Sequence, residues 1–146
     1  MITEIIVKGK PIAKKRPRFA RRGKFVTTYN DQETEEGKFL LEAKSQVKIM
    51  FDSSEAITIH CRFAMPRPKN HFGTGKNAET LKKNVPYLHT KKPDLDNLIK
   101  FVLDCLNGVA WKDDSQIWSI EAYKYYAMKP QTYIEIEGKA VENGRS

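Results

Sequence analysis

The residues from Asp94 to Gly108 constrain this chain most. Leu95, Leu98, Val102, Cys105 and Val109 recur at intervals of three and four, the period of one face of a helix that must lie on something apolar. Asp94 stands where an N-cap would, Asp96 falls in the first turn, and Asn107–Gly108 has the composition of a stop. The spacing predicts a helix over 95–106. Strand patterns lie on both sides of it. From Ile57 to Phe63, Ile57, Ile59, Cys61 and Phe63 alternate with Thr58, His60 and Arg62, as in a strand buried on one face. Gln116 to Ala127 carries Trp118, Tyr123, Tyr125 and Tyr126 and reads as a second strand. Gln131 to Glu137 reads as a third, with Thr132, Ile134 and Ile136 inward.

The remaining segments fill out the same plan. Ile2 to Val7 is a short β-branched run, expected as a buried strand. Gly23 is placed to turn a hairpin between Arg18–Arg22 and Lys24–Thr28. Asn30 with Glu33 resembles a capping box opening a helix that runs to about Met50, with Leu40, Ala43, Val47 and Met50 on one face. Pro66 and Pro68 end the 57–63 strand. Residues 66–92 form a long segment with a short helix expected near Ala78–Lys83, and a loop of that length in a small domain is functional or mobile. The tail from Lys139 is polar and expected to fray. The fold class is therefore α/β. It is a single domain over 1–146, with a basic segment at 11–29, a basic loop at 66–92 and a polar tail at 139–146. A mixed sheet of about four to six strands packs against two main helices, and the last two strands are expected as antiparallel neighbours.

A chain of 146 residues buries roughly 70% of its extended surface and needs no staples. Nothing in it approaches the ~20 apolar residues of a membrane span. Glu4 interrupts the apolar start, so the opening residues do not read as a signal peptide. Cys61 and Cys105 are expected as reduced, buried thiols of a cytoplasmic protein. The 26 Lys and Arg against 18 Asp and Glu leave a formal net charge of +8, and their distribution points to a polyanionic partner. Lys14, Lys15, Arg16, Arg18, Arg21, Arg22 and Lys24 form one block without an acid. Arg67, Lys69, Lys91 and Lys92 belong to a second, which Glu79 alone interrupts.

Within this basic chain, acids gather at Asp94/Asp96 and Asp113/Asp114. An extended Asp94–Asp96 would project both carboxylates from one side of the backbone onto one hard cation. If Asp94 caps the helix instead, both carboxylates stand at its positive end. A helix of about three turns and a short return would carry Asp114 back beside the pair. Lys100, one turn beyond Asp96, could reach a phosphate oxygen. Asp104 reads as an ion-pair partner for Lys100, and Asn97 as an orienting group. Each residue also has an ordinary use, in a cap, a solvated turn or an i,i+4 pair. A nucleotide-handling phosphohydrolase or glycosyltransferase is disfavoured, because no glycine-rich phosphate loop is present. His60, His71 and His89 read as surface or DNA-contacting rather than catalytic. Tyr29, Phe72 and Tyr87 read as packing groups, with stacking on unpaired bases as the alternative.

The run Lys92-Pro93-Asp94-Leu95-Asp96-Asn97-Leu98, with Lys100, Asp104, Leu106, Asn107-Gly108 and Asp113-Asp114-Ser115-Gln116-Ile117, resembles the signature of the RusA family of Holliday-junction resolvases, found widely in phages and prophages. The resemblance implies a small α/β homodimer and an endodeoxyribonuclease acting on branched DNA with Mg²⁺, for which Mn²⁺ can substitute. It implies neither a membrane nor a small-molecule substrate. The family's catalytic and metal-binding acids map to Asp94, Asp96 and Asp114, with Asp113 a weaker assignment, and its active-site lysine maps to Lys100. The 66–92 segment is long beside compact members, and Pro93 stands where some carry a basic residue. The rival expectation is a branched-DNA-binding module of prophage origin that does not cut.

Overall fold

The structure is a computed structural model that describes the main chain of residues 1–15, 18–22, 25–29 and 33–141 and the side chains of residues 1–15 and 34–141. Its main sheet has four strands, β1 (Ile2–Lys8), β4 (Glu55–Pro66), β5 (Ile117–Ala127) and β6 (Gln131–Ala140), in the order β1-β6-β4-β5. A separate antiparallel hairpin joins β2 (Arg18–Arg22) to β3 (Phe25–Tyr29). Helices α1 (Glu33–Lys44) and α2 (Leu95–Leu106) lie against the main sheet. This is the expected α/β class, with one mixed sheet and two main helices.

Alternation sets the inner face. Ile57, Ile59, Cys61 and Phe63 of β4 are buried beside Ile134 and Ile136 of β6 and Ile5 and Val7 of β1. Onto them pack Phe39 and Ala43 of α1, and Leu98, Phe101, Val102, Cys105 and Leu106 of α2. Phe39 and Phe101 meet edge to face at 5.3 Å and join the two helices. Cys61 and Cys105 are free thiols, and burial pushes both up to about 12, so they serve as packing. The opposite face carries polar and aromatic groups. Arg62 stacks on Tyr133, and His60 stands 3.7 Å from Glu121.

Helix α2 has the predicted bounds, with Gly108 at φ +78° just past its end. Gly138 is required for another reason. A Cβ there would overlap the Phe51 ring, which is buried beneath β6.

Four expectations are corrected. First, β5 and β6 are not neighbours, because β4 lies between them, parallel to β5 and antiparallel to β6. The link Met128–Pro130 steps across the end of β4, a span of about two strand spacings, or ~10 Å, that three residues can cover. β4 takes the centre because it is the most apolar strand. Second, α1 stops at Lys44, short of Met50. Gln46 there turns its amide onto both main-chain groups of Ile6, at 2.8 Å each, and Glu42 accepts from the Lys8 N–H. Those bonds close the outer edge of β1, which the helix would otherwise leave unpaired. Third, Lys139 and Ala140 belong to β6, paired with Ala56 and Glu55, rather than to a frayed tail. Fourth, the loop after β4 has 3-10 turns at Lys69–His71 and Gly75–Asn77 and a bridge between Phe72 and Leu81, with no helix at Ala78–Lys83. The expected Asn30–Glu33 capping box and the stacking reading of Tyr29 lie outside the described residues.

Candidate active site

The long loop returns to the sheet along the outer edge of β5. Tyr126 N–H donates to Tyr87 O, and Leu88 bridges Tyr125. Lys124 then reaches from β5 to donate to the carbonyls of Lys91 and Pro93, at 2.5 and 2.6 Å. Two residues after Pro93, α2 begins. Asp94 is thus held at the carboxyl end of the parallel β4–β5 pair, the end at which α/β folds bind ligands.

Of the two geometries open for Asp94 and Asp96, the structure has the second. Asp94 is extended at the N-cap, but its side chain makes no capping bond. Asp96 lies in the first turn and accepts from the Asn97 N–H at 2.9 Å. Both carboxylates are exposed, and no ion pair is formed by either among the described residues. Lys100 is likewise exposed without an ion pair. Its expected partner Asp104 is bound instead to Lys14, at 3.3 Å, and Lys14 also holds Glu36 at 3.0 Å. The Glu36 bond, working against partial burial, raises the Lys14 ammonium above its ordinary value. Lys14 N–H also donates to Asn97 O, so the 11–15 segment is laced to the first turn of α2.

Asp113 and Asp114 stand elsewhere. They precede β5, at its amino end, beyond the C-terminus of α2. Asp113 is used as a cap, taking the Ser115 hydroxyl and the main chain of a 3-10 turn closed by Gln116. Asp114 accepts the indole N–H of Trp111 at 2.8 Å. Trp111 is fully buried against the end of α2, where Gly108 N–H meets its carbonyl. The ends of a twelve-residue helix are about 18 Å apart. Among the described residues no three His, Cys, Asp or Glu side chains are grouped to hold a metal. The fold therefore puts Asp94 and Asp96 at the N-terminal end of α2, Lys100 one turn further along it, and Asp114 beyond its C-terminal end.

The basic candidates also divide. Lys91 and Lys92 are exposed immediately before Asp94, and Lys69 is exposed on the loop. Arg67 is half-buried, donating to Pro86 O and stacked 5.4 Å from the Tyr126 ring. Lys15 faces Glu35 at 3.7 Å. The side chains of Arg16, Arg18, Arg21, Arg22 and Lys24 lie outside the described residues. Sequence reading missed Lys124, a single cation in an aromatic strand whose value lies in two carbonyls it reaches, and Trp111, the anchor of Asp114. A buried tryptophan needs a hydrogen-bond partner, and that signal was available three residues before Asp114.

The chain is a two-layer α/β domain with an acidic pair at the N-terminus of α2 and exposed lysines just before it. The chain belongs to the RusA endodeoxyribonuclease family, whose model matches residues 8–137. It is also similar to YqaN of Bacillus subtilis (strain 168), an uncharacterized protein, with 29% identity over 131 residues that cover 89% of this chain and 92% of that one. Among the described residues no helix is long and apolar enough to cross a membrane.

Proposed function

We propose that the protein is a Mg²⁺-dependent, structure-selective endodeoxyribonuclease that resolves four-way DNA junctions by paired strand cleavage in recombination and repair, in the cytoplasm. The observation that carries this reading is the pair of exposed, unpaired carboxylates of Asp94 and Asp96 behind Lys91 and Lys92, in a chain of the RusA family. Hard oxygen donors of this kind suit Mg²⁺, which takes one or two carboxylates and fills its remaining positions with water and phosphate oxygen. When bound, the ion lowers the pKa of water and offsets charge on the phosphate. Lys100, on the same side of α2 as Asp96, reaches a phosphate oxygen and offsets charge there as the bond breaks. Lys69, Lys91, Lys92 and the arginines of 16–22 meet flanking backbone, together with Lys24. Lys14 and Lys15 reach DNA only by giving up their carboxylate partners.

Asp114 follows the C-terminal end of α2, while Asp94 and Asp96 stand at its N-terminal end, about 18 Å away along the helix. A twofold homodimer supplies it from the partner, so that each centre takes the pair from one chain and Asp114 from the other, and two centres face a junction of matching symmetry. Mixing settles this arrangement. Asp96→Asn and Asp114→Asn chains are each inactive alone. Combined, they regain one intact centre per heterodimer and nick one strand of a junction in Mg²⁺. No activity on mixing returns all three acids to one chain. Cleavage of a mobile four-way junction beside linear duplex, with and without Mg²⁺, tests the reading as a whole. Junction binding without cleavage would favour the second reading, a non-catalytic branched-DNA-binding module of prophage origin.

A further inference from the structure

Beside Asp94, a cleft of about 250 Å³ opens at the carboxyl ends of β4 and β5, and the same edge of the sheet supplies its wall. Lys10, Lys91 and Lys92 line it together with Pro93, Tyr126 and His89, and no carboxylate does. His89 is the odd member. It is only 8% exposed, packed 4.7 Å from the Tyr126 ring, and its Nδ1 has no well-formed hydrogen bond among the described residues. Nδ1 is sealed from solvent altogether. Burial of an unpaired polar group costs free energy that an apolar side chain of the same size would not. A sealed Nδ1 without an acceptor favours the proton on Nε2, the polar edge left to the cleft.

We propose that this cleft is a phosphate subsite. It holds a backbone phosphate of the DNA strand next to the one presented at Asp94, with His89 Nε2–H donating to one oxygen and the Lys10, Lys91 and Lys92 ammonium groups surrounding the rest. Arg67, stacked 5.4 Å from the Tyr126 ring, adds positive charge nearby. The subsite would register the strand against the acids: a phosphate seated here fixes which bond lies at Asp94. The proposal rests on DNA being the substrate, but its readout is binding in EDTA, where no cleavage occurs.

The experiment measures affinity for four-way junctions that carry a single uncharged methylphosphonate, scanned through the phosphates on either side of the crossover. For the wild type, one position should cost about tenfold, the size of one charge-assisted hydrogen bond. His89→Phe keeps the ring packing, should bind the unmodified junction about tenfold more weakly, and should lose nothing further at that position. His89→Gln, which keeps a donor where Nε2 stood, should stay within about twofold of the wild type. Lys10→Gln, at an exposed residue that folding does not need, should show the same coupling to that position. Equal sensitivity of His89→Phe and wild type at every phosphate overturns the proposal. So does binding that requires a 5′-terminal phosphate on nicked DNA. A wild type that shows the coupling but does not cut in Mg²⁺ supports the subsite and removes the nuclease reading. One that cuts without the coupling does the reverse.

Discussion

Trp111 Nε1–H donates to Asp114 at 2.8 Å, so the carboxylate proposed for chemistry also satisfies a buried indole. The two duties separate by substitution. Asp114→Asn keeps a carbonyl oxygen for the indole and should leave stability within about 1 kcal/mol of the wild type while abolishing cleavage. Asp114→Leu strands the N–H and should cost about 1–3 kcal/mol in urea denaturation. Equal stability of the two variants would mean the hydrogen bond contributes nothing.

Asp96→Asn removes a charge from the helix N-terminus without removing a phosphate contact. Cleavage should vanish and junction affinity should hold or improve. Lys100→Ala should lower the cleavage rate by about 10²–10³ and leave stability unchanged, since Lys100 forms no ion pair among the described residues. Single-turnover cleavage beside gel-shift titration reads both.

Lys14 bridges Glu36 of α1 and Asp104 of α2. All three side chains are partly solvated, so screening limits the pair's worth. Lys14→Met should cost about 1 kcal/mol in thermal or urea unfolding. Its effect on DNA affinity should be small, because its charge is already matched.

Junction affinity should fall steeply with salt, with a slope near −0.9 per phosphate neutralised. Lys91→Gln and Lys92→Gln should each reduce that slope by about 1. A flat response in the wild type would remove the basic loop from DNA contact.

Burial, reinforced by the nearby Lys124 charge, holds the His89 imidazole below its ordinary value of 6.5. On acidification the unfolded chain takes up that proton first, so folding loses free energy as pH drops below about 6.5. The contribution is complete above that pH. Urea midpoints measured at pH 5 and pH 7.5 should differ less in His89→Gln than in the wild type.

The local patterns were legible where one segment decides its own fate. Helix α2 was readable from Asp94 to Gly108 because cap, stripe and stop agree, and the alternation in β4 and β6 identified their buried faces. Partner choice was not readable. Nothing in residues 117–137 says that β4 will come between two strands joined by so short a link, because that depends on burying the more apolar strand in the middle. The end of α1 was hidden for a similar reason: Val47 and Met50 continue a helical period, but Gln46 is claimed by Ile6, 40 residues earlier. Asp94, Asp96, Asp114 and Lys100 could be singled out as candidates by type and spacing. Their distribution along α2 could not, because the return after Gly108 spends its residues seating Trp111 instead of doubling back.

Because β6 is inserted between β1 and β4, β1 lacks its strand partner until β6 is made, although Gln46 and Glu42 can already bond its main chain. Completion of the sheet is therefore a late, long-range event and a slow one, and any shortening that removes residues 131–140 would unseat both flanking strands at once.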